Sequence, residues 1–143
     1  MEESFTFNKQ EKLKSRKLLD EVFGSGKSFL CFPVKVSYKL VSPLDFPVKA
    51  GVGVSSRYFK HAVDRNRVKR LLRECYRLNK HPLHSYCKEN NKQLAVFFLY
   101  VDKEIMALEP LQKSMQAAIA KLIARLEKEQ RSQEEGVRRQ ENT

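Results

Sequence analysis

The sequence predicts a compact α/β or α+β sandwich with elements in the order helix, strand, strand, helix, strand, helix. Three observations carry this expectation. Two stretches, VKVSYKL (Val34 to Leu40) and VKAGVGVSS (Val48 to Ser56), alternate in polarity with a period of two. LAVFFLYV (Leu94 to Val101) is a continuous apolar run, as expected of a strand buried on both faces. Amphipathic helical repeats stand before, between and after these strands.

Each element has its own local reason. In SRKLLDEVFGSG, Ser15 can cap a short helix whose Leu18, Leu19, Val22 and Phe23 share a face, and Gly24 with Gly26 ends it. Val34, Val36, Tyr38 and Leu40 then form the apolar side of a half-buried strand. A short strand around Phe29 to Phe32 could precede that one or be continuous with it. SPLDFP (Ser42 to Pro47) reads as a turn or short loop. In the next strand Val48, Ala50, Val52 and Val54 lie on one side, while Gly51 and Gly53 on the other leave room for something to approach closely. A basic helix follows from about Ala62 to Asn79 and stops before Pro82. Pro110 fits the first turn of a last helix, where Leu111, Met115, Ala118, Leu122 and Leu126 line up beside Ile119 and Ile123. The chain is read as one domain, 1–126, followed by a polar tail, 127–143, expected to be disordered or a frayed helix.

Composition narrows the function. At 143 residues and 41% hydrophobic, the chain can build one core. No stretch approaches the roughly 20 apolar residues of a membrane span. The acidic, polar start MEESFTFNKQEK does not read as a secretory signal. Cys31, Cys75 and Cys87 form no CxxC pair and fit free thiols in a reducing cytoplasm. The balance of 28 basic against 17 acidic residues, net +11, calls for a polyanionic partner. Acidic residues slightly outnumber basic ones from Glu127 onward, so residues 1–126 carry the whole surplus.

The charge concentrates in one place. In RNRVKRLLREC (Arg65 to Cys75), Val68, Leu71, Leu72 and Cys75 fall on one helical face together with Leu78. Arg65, Asn66, Lys69, Arg70, Arg73, Arg77 and Lys80 fall on the other, with Arg67 and Glu74 at the border. From Arg57 to Lys80 nine basic residues stand against Asp64 and Glu74. So many like charges side by side destabilise a helix unless counter-charges come from outside. Guanidiniums match phosphate oxygens bidentately, and Asn can donate to a phosphate or sugar. Asp64 stands where an N-cap would be, which would set the first free N–H groups beside Arg65, Asn66 and Arg67 as an anion site. A nucleic-acid-binding face is the expectation. The charges do not distinguish RNA from DNA, but a basic helix embedded among strands fits RNA recognition by shape and backbone better.

RNRVKRLLRE, preceded by GVGVSSRYFKHAVD (Gly51 to Asp64), resembles the signature of the bacterial ribonuclease P protein subunit, and FTFNKQEKLKSRKLLDEVF (Phe5 to Phe23) is similar to that family's N-terminal segment. The resemblance spans about residues 5–126. It implies an α+β fold with a central four-stranded sheet, order αβββαβα, and a basic helix forming a left-handed βαβ crossover, against the usual hand. It implies a subunit of an endoribonuclease that joins a large catalytic RNA and helps to remove the 5′ leader of precursor tRNA. Mg²⁺ would be held mainly by the RNA, and the protein would supply no catalytic group. Arg65, Asn66, Arg67, Lys69, Arg70 and Arg73 match the family's basic motif as contacts to the RNA, and Arg57 and Arg77 extend the same charge. The cleft between the first helix and the sheet would hold the single-stranded leader, with Phe23 and Tyr38 as stacking candidates, although each also lies on an apolar face. Two departures stand out: Leu19 replaces an aromatic residue common one turn before Phe23, and Ser56–Arg57 replaces a pair of lysines.

Other chemistry finds little support. His81, His84 and Cys87 have a spacing that invites a metal, but they flank Pro82 in a polar connection without a fourth ligand, so no metal site is expected. No phosphate-binding glycine loop or nucleophile elbow is present. The last helix is expected to cover the sheet rather than to dimerise, and no obligate protein partner is evident. The alternatives are a ribosomal or other structural RNA-binding protein without effect on cleavage, and a DNA-binding regulator.

Overall fold

The strand and helix patterns resolve, in a computed structural model, into eight elements over residues 11–13, 15–41 and 47–141, with side chains described through 129. Helix α1 spans Arg16–Ser25, and Ser15 caps it by accepting a hydrogen bond from the Leu18 N–H at 3.4 Å. Strand β1 (Lys27–Cys31) turns at Phe32–Pro33, a cis peptide, into β2 (Val34–Leu40). Strand β3 (Val48–Val54) leads to α2 (Ala62–Asn79) and α3 (His81–Glu89), and β4 (Leu94–Tyr100) precedes α4 (Leu108–Glu141). The expected loop at 42–46 lies outside the described residues.

The four strands form one sheet in the order β1-β2-β4-β3. β1 with β2 and β2 with β4 are antiparallel, whereas β3 and β4 are parallel neighbours joined through α2 and α3. The stretch at Phe29 is thus a separate edge strand, not a continuation of β2.

The sheet has two unequal sides. On one, Val34, Val36 and Tyr38 of β2 and Leu94, Val96, Phe98 and Tyr100 of β4 are buried against α2, α3 and α4. On the other, among the described residues, α1 and the segment 11–13 pack, with Leu13, Val22 and Ala95 buried and Leu18, Leu19 and Phe97 half-buried. Among the described residues this side carries less cover than the other, one ten-residue helix and the segment 11–13.

One element departs from the sequence reading. The stretch containing His81, His84 and Cys87 is the helix α3 and not a polar connection, because Pro82 is tolerated in a first turn and Leu83 and Cys87 supply a buried stripe. The last helix continues to Glu141, across the stretch expected as a tail. Glu129 there accepts hydrogen bonds from Lys27 Nζ at 2.8 Å and from the Tyr38 hydroxyl at 3.0 Å. No helix of the described residues is long and apolar enough to cross a membrane.

Candidate nucleic-acid interface

Helix α2 buries Val68, Leu72, Cys75 and Tyr76, so its opposite face must look outward. Asn66, Arg67, Arg70 and Arg73 are exposed there, and Lys69 is half-buried. Among the described residues none of these cations is paired with a carboxylate. Arg57, in the turn after β3, is exposed as well, 6.0 Å from the centre of the Tyr58 ring.

Arg65 and Arg77 behave differently. The Arg65 guanidinium donates to the backbone carbonyls of Phe59 at 2.9 Å and Lys60 at 2.7 Å, clasping the loop that enters the helix. Arg77 forms a two-pronged pair with Glu74, which holds the Glu74 carboxyl below its ordinary range and the guanidinium above its own. Arg77 therefore closes the stripe with a neutralised end.

The helix start also differs from the expectation. His61 is the N-cap residue, without a side-chain cap bond, and Asp64 sits inside the first turn. The Arg65 N–H is already bonded to the His61 carbonyl at 3.2 Å. The uncapped N–H groups thus lie a turn earlier than Arg65 to Arg67, and Asp64 favours that end through the helix dipole.

Beside the stripe, on the thinly covered side of the sheet, lies a groove of about 280 Å³. Its lining includes Lys12 and Leu13 of the N-terminal segment, Leu19 of α1, Gly51 of β3, Phe97 of β4 and Arg73 of α2. The N-terminal segment is held in place because the Leu13 N–H donates to the Ala50 carbonyl at 2.9 Å.

Of the two aromatic candidates, Phe23 is 55% exposed, and its ring meets that of Phe97 edge to face at 5.1 Å. Tyr38 requires correction. It is only 1% exposed, packs on Phe29 with ring centres 6.1 Å apart, and directs its hydroxyl to Glu129. The two-residue period that aligns Tyr38 with Val34 and Val36 places it beneath α4, on the far side of the sheet from α1. No base can stack on it there. The sequence reading missed Phe97, because a strand apolar at every position does not reveal which residue remains half open. The one available signal was the pair of glycines on β3, Gly51 directly across from Phe97 and Gly53 across from Leu99.

The spacing of His81, His84 and Cys87 produces no metal site. His84 Nε2 shares a hydrogen bond of 2.8 Å with the Tyr76 hydroxyl, and Cys87 lies in the core, where burial pushes its thiol up to about 11. Among the described residues no group of three or more His, Cys, Asp or Glu could hold a metal ion.

Comparison with known proteins decides the family: the Ribonuclease P family model matches residues 7–127. The chain belongs to the ribonuclease P protein family. It is 36% identical over 120 residues to the ribonuclease P protein component of Porphyromonas gingivalis W83, covering 83% of this chain and 88% of that one. The component from Chlorobium phaeobacteroides is 35% identical over 100 residues, covering 67% and 68% respectively. Among solved structures, the Staphylococcus aureus RNase P protein superimposes with a TM-score of 0.61 at 18% identity, over 78% of this chain and 94% of that one. The Thermotoga maritima RNase P protein gives 0.58 at 21%, over 76% and 94%. The expected α+β class and four-stranded sheet of a ribonuclease P protein are what the structure contains, with α3 added to the expected order.

Proposed function

We infer that this ribonuclease P protein subunit works through two surfaces that meet at Arg73. The exposed face of α2 binds the RNA subunit, and the groove beside it receives the 5′ leader of precursor tRNA. The observation that carries this reading is the position of Arg73, at once on the cationic stripe and in the lining of the groove. A leader lying in the groove would have its backbone led directly to the RNA-bound face.

The division of labour follows from the residues present. Guanidiniums without internal partners hold phosphates by charge and by bidentate geometry. An apolar groove flanked by cations suits a single strand with splayed bases. The reaction is hydrolysis of one phosphodiester bond, freeing the leader and leaving a 5′ phosphate on the tRNA. Mg²⁺ is assigned to the RNA subunit, and no step of the protein's work is routed through it. The protein binds and orients two RNAs and supplies no nucleophile. The three free thiols, Cys75 and Cys87 among them buried, are compatible with the cytoplasm as the place of action.

The test is cleavage of precursor tRNA by the cognate ribonuclease P RNA at low Mg²⁺, with and without this chain. Restored 5′ maturation, with no cutting by the protein alone, supports the reading. Tight RNA binding with unchanged cleavage would overturn it in favour of a structural RNA-binding protein. A dimer that prefers duplex DNA would overturn it in favour of a regulator.

A further inference from the structure

On β4, Leu94, Val96, Phe98 and Tyr100 are buried on the thick side of the sheet, while Phe97 and Leu99 stand half-buried on the thin side, and of these two only Phe97 carries a ring. Its ring reaches over the neighbouring strand. A Cβ at Gly51 would lie 2.9 Å from Phe97 Cδ2, and one at Gly53 would lie 2.6 Å from Cζ. Only strand positions without side chains let an aromatic ring lie down on the sheet in this way. The same ring lines the groove, with Lys12 and Arg73 lining it too and Phe23 set edge-on at 5.1 Å. Leu19, also in the lining, is apolar but offers no ring face.

We propose that Phe97, with Phe23 beside it, forms a stacking slot for one nucleobase of the leader, supplying from β4 the aromatic face that Leu19 does not provide from α1. The proposal rests on the groove being the leader site. A flat apolar face flanked by cations is the arrangement by which proteins hold single strands: the ring takes a base of any sequence, and the cations take the phosphates on either side. Gly51 and Gly53 act indirectly, by keeping the space that lets the ring lie flat.

The experiment uses holoenzyme assembled from the full chain and its cognate RNA. The substrates are precursor tRNAs with an ordinary leader or with a leader of abasic nucleotides that keeps every phosphate. For the wild-type holoenzyme the ordinary leader should bind about tenfold more tightly than the abasic one. F97L should bring that ratio close to one, and L19F added to F97L should recover part of it. If the wild type does not distinguish the two leaders, the groove is not the leader site and the reading beneath the proposal fails. If the wild type distinguishes them and a folded F97L does so equally well, the leader site stands and the assignment to Phe97 is wrong. Should F97L not fold, 5-iodouridine walked along the leader of the wild-type complex decides the matter. Crosslinks mapped to Phe97 or Phe23 sustain the slot, and crosslinks confined to α2 overturn it.

Discussion

The Lys80 ammonium lies 2.5 Å from the Glu11 carboxylate, both side chains are 3% exposed, and 69 positions of sequence separate them. This buried pair ties the N-terminal segment to the junction of α2 and α3. The next residues, Lys12 and Leu13, line the groove, so the pair also holds part of the lining of the candidate leader site. Glu11→Gln removes a buried counter-charge from Lys80. Breaking such a pair on one side costs on the order of 3–5 kcal/mol. Urea unfolding should show the midpoint falling accordingly, and leader affinity should weaken along with stability.

His84 lies beside this pair, with Nδ1 3.8 Å from Glu11 Oε1 and Nε2 bonded to Tyr76. Burial pushes its pKa from the ordinary 6.5 down to about 4, against the opposing pull of Glu11. The folded chain therefore holds His84 neutral where the unfolded chain would protonate it. Stability from this group is complete above about pH 6.5 and is lost as pH falls toward about 4, by roughly 2–3 kcal/mol. Thermal unfolding between pH 7 and 4 should show this slope, and His84→Gln should flatten it.

Arginines a turn apart on α2 should respond differently to substitution. Arg67→Ala and Arg70→Ala remove exposed guanidiniums and should leave folding within about 0.5 kcal/mol of the wild type. Each should lower the salt slope of RNA binding by about 0.7–0.9 per lost phosphate contact. Arg65→Ala removes two charge-assisted bonds to the Phe59 and Lys60 carbonyls and should cost about 1.5–3 kcal/mol of stability. Titrations of RNA binding against salt, paired with unfolding curves, separate the two behaviours. Equal loss of stability in all three variants would contradict the division.

Tyr38→Phe tests the correction on the sheet. The variant loses the hydroxyl bond to Glu129 and should be destabilised by about 1 kcal/mol. Binding of leader-bearing precursor should not change, since Tyr38 is buried on the opposite side of the sheet from the groove. A leader-specific loss of affinity in this variant would place the leader on the wrong face.

Much of the fold was legible because it is local. Ser15 caps α1 through a bond three residues away, the period of two in β2 assigns its faces, and Val68, Leu72 and Cys75 mark the buried side of α2. The α2 cationic face was legible for the same reason, since helical geometry alone brings Asn66, Arg70 and Arg73 together. Helix α3 was hidden by Pro82 and by polar composition, which resemble a connection until Leu83 and Cys87 find the core.

By itself the sequence determined which residues share a face and which sign of charge that face presents, because both follow from backbone periods of 3.6 and 2 residues. Only the tertiary structure decided what each face meets. It engaged Arg65 as a clasp on the loop before α2, buried Tyr38 beneath α4, laid Phe97 over Gly51 and Gly53, and joined Glu11 to Lys80. Such pairings depend on which distant segment packs where, and no local period carries that information.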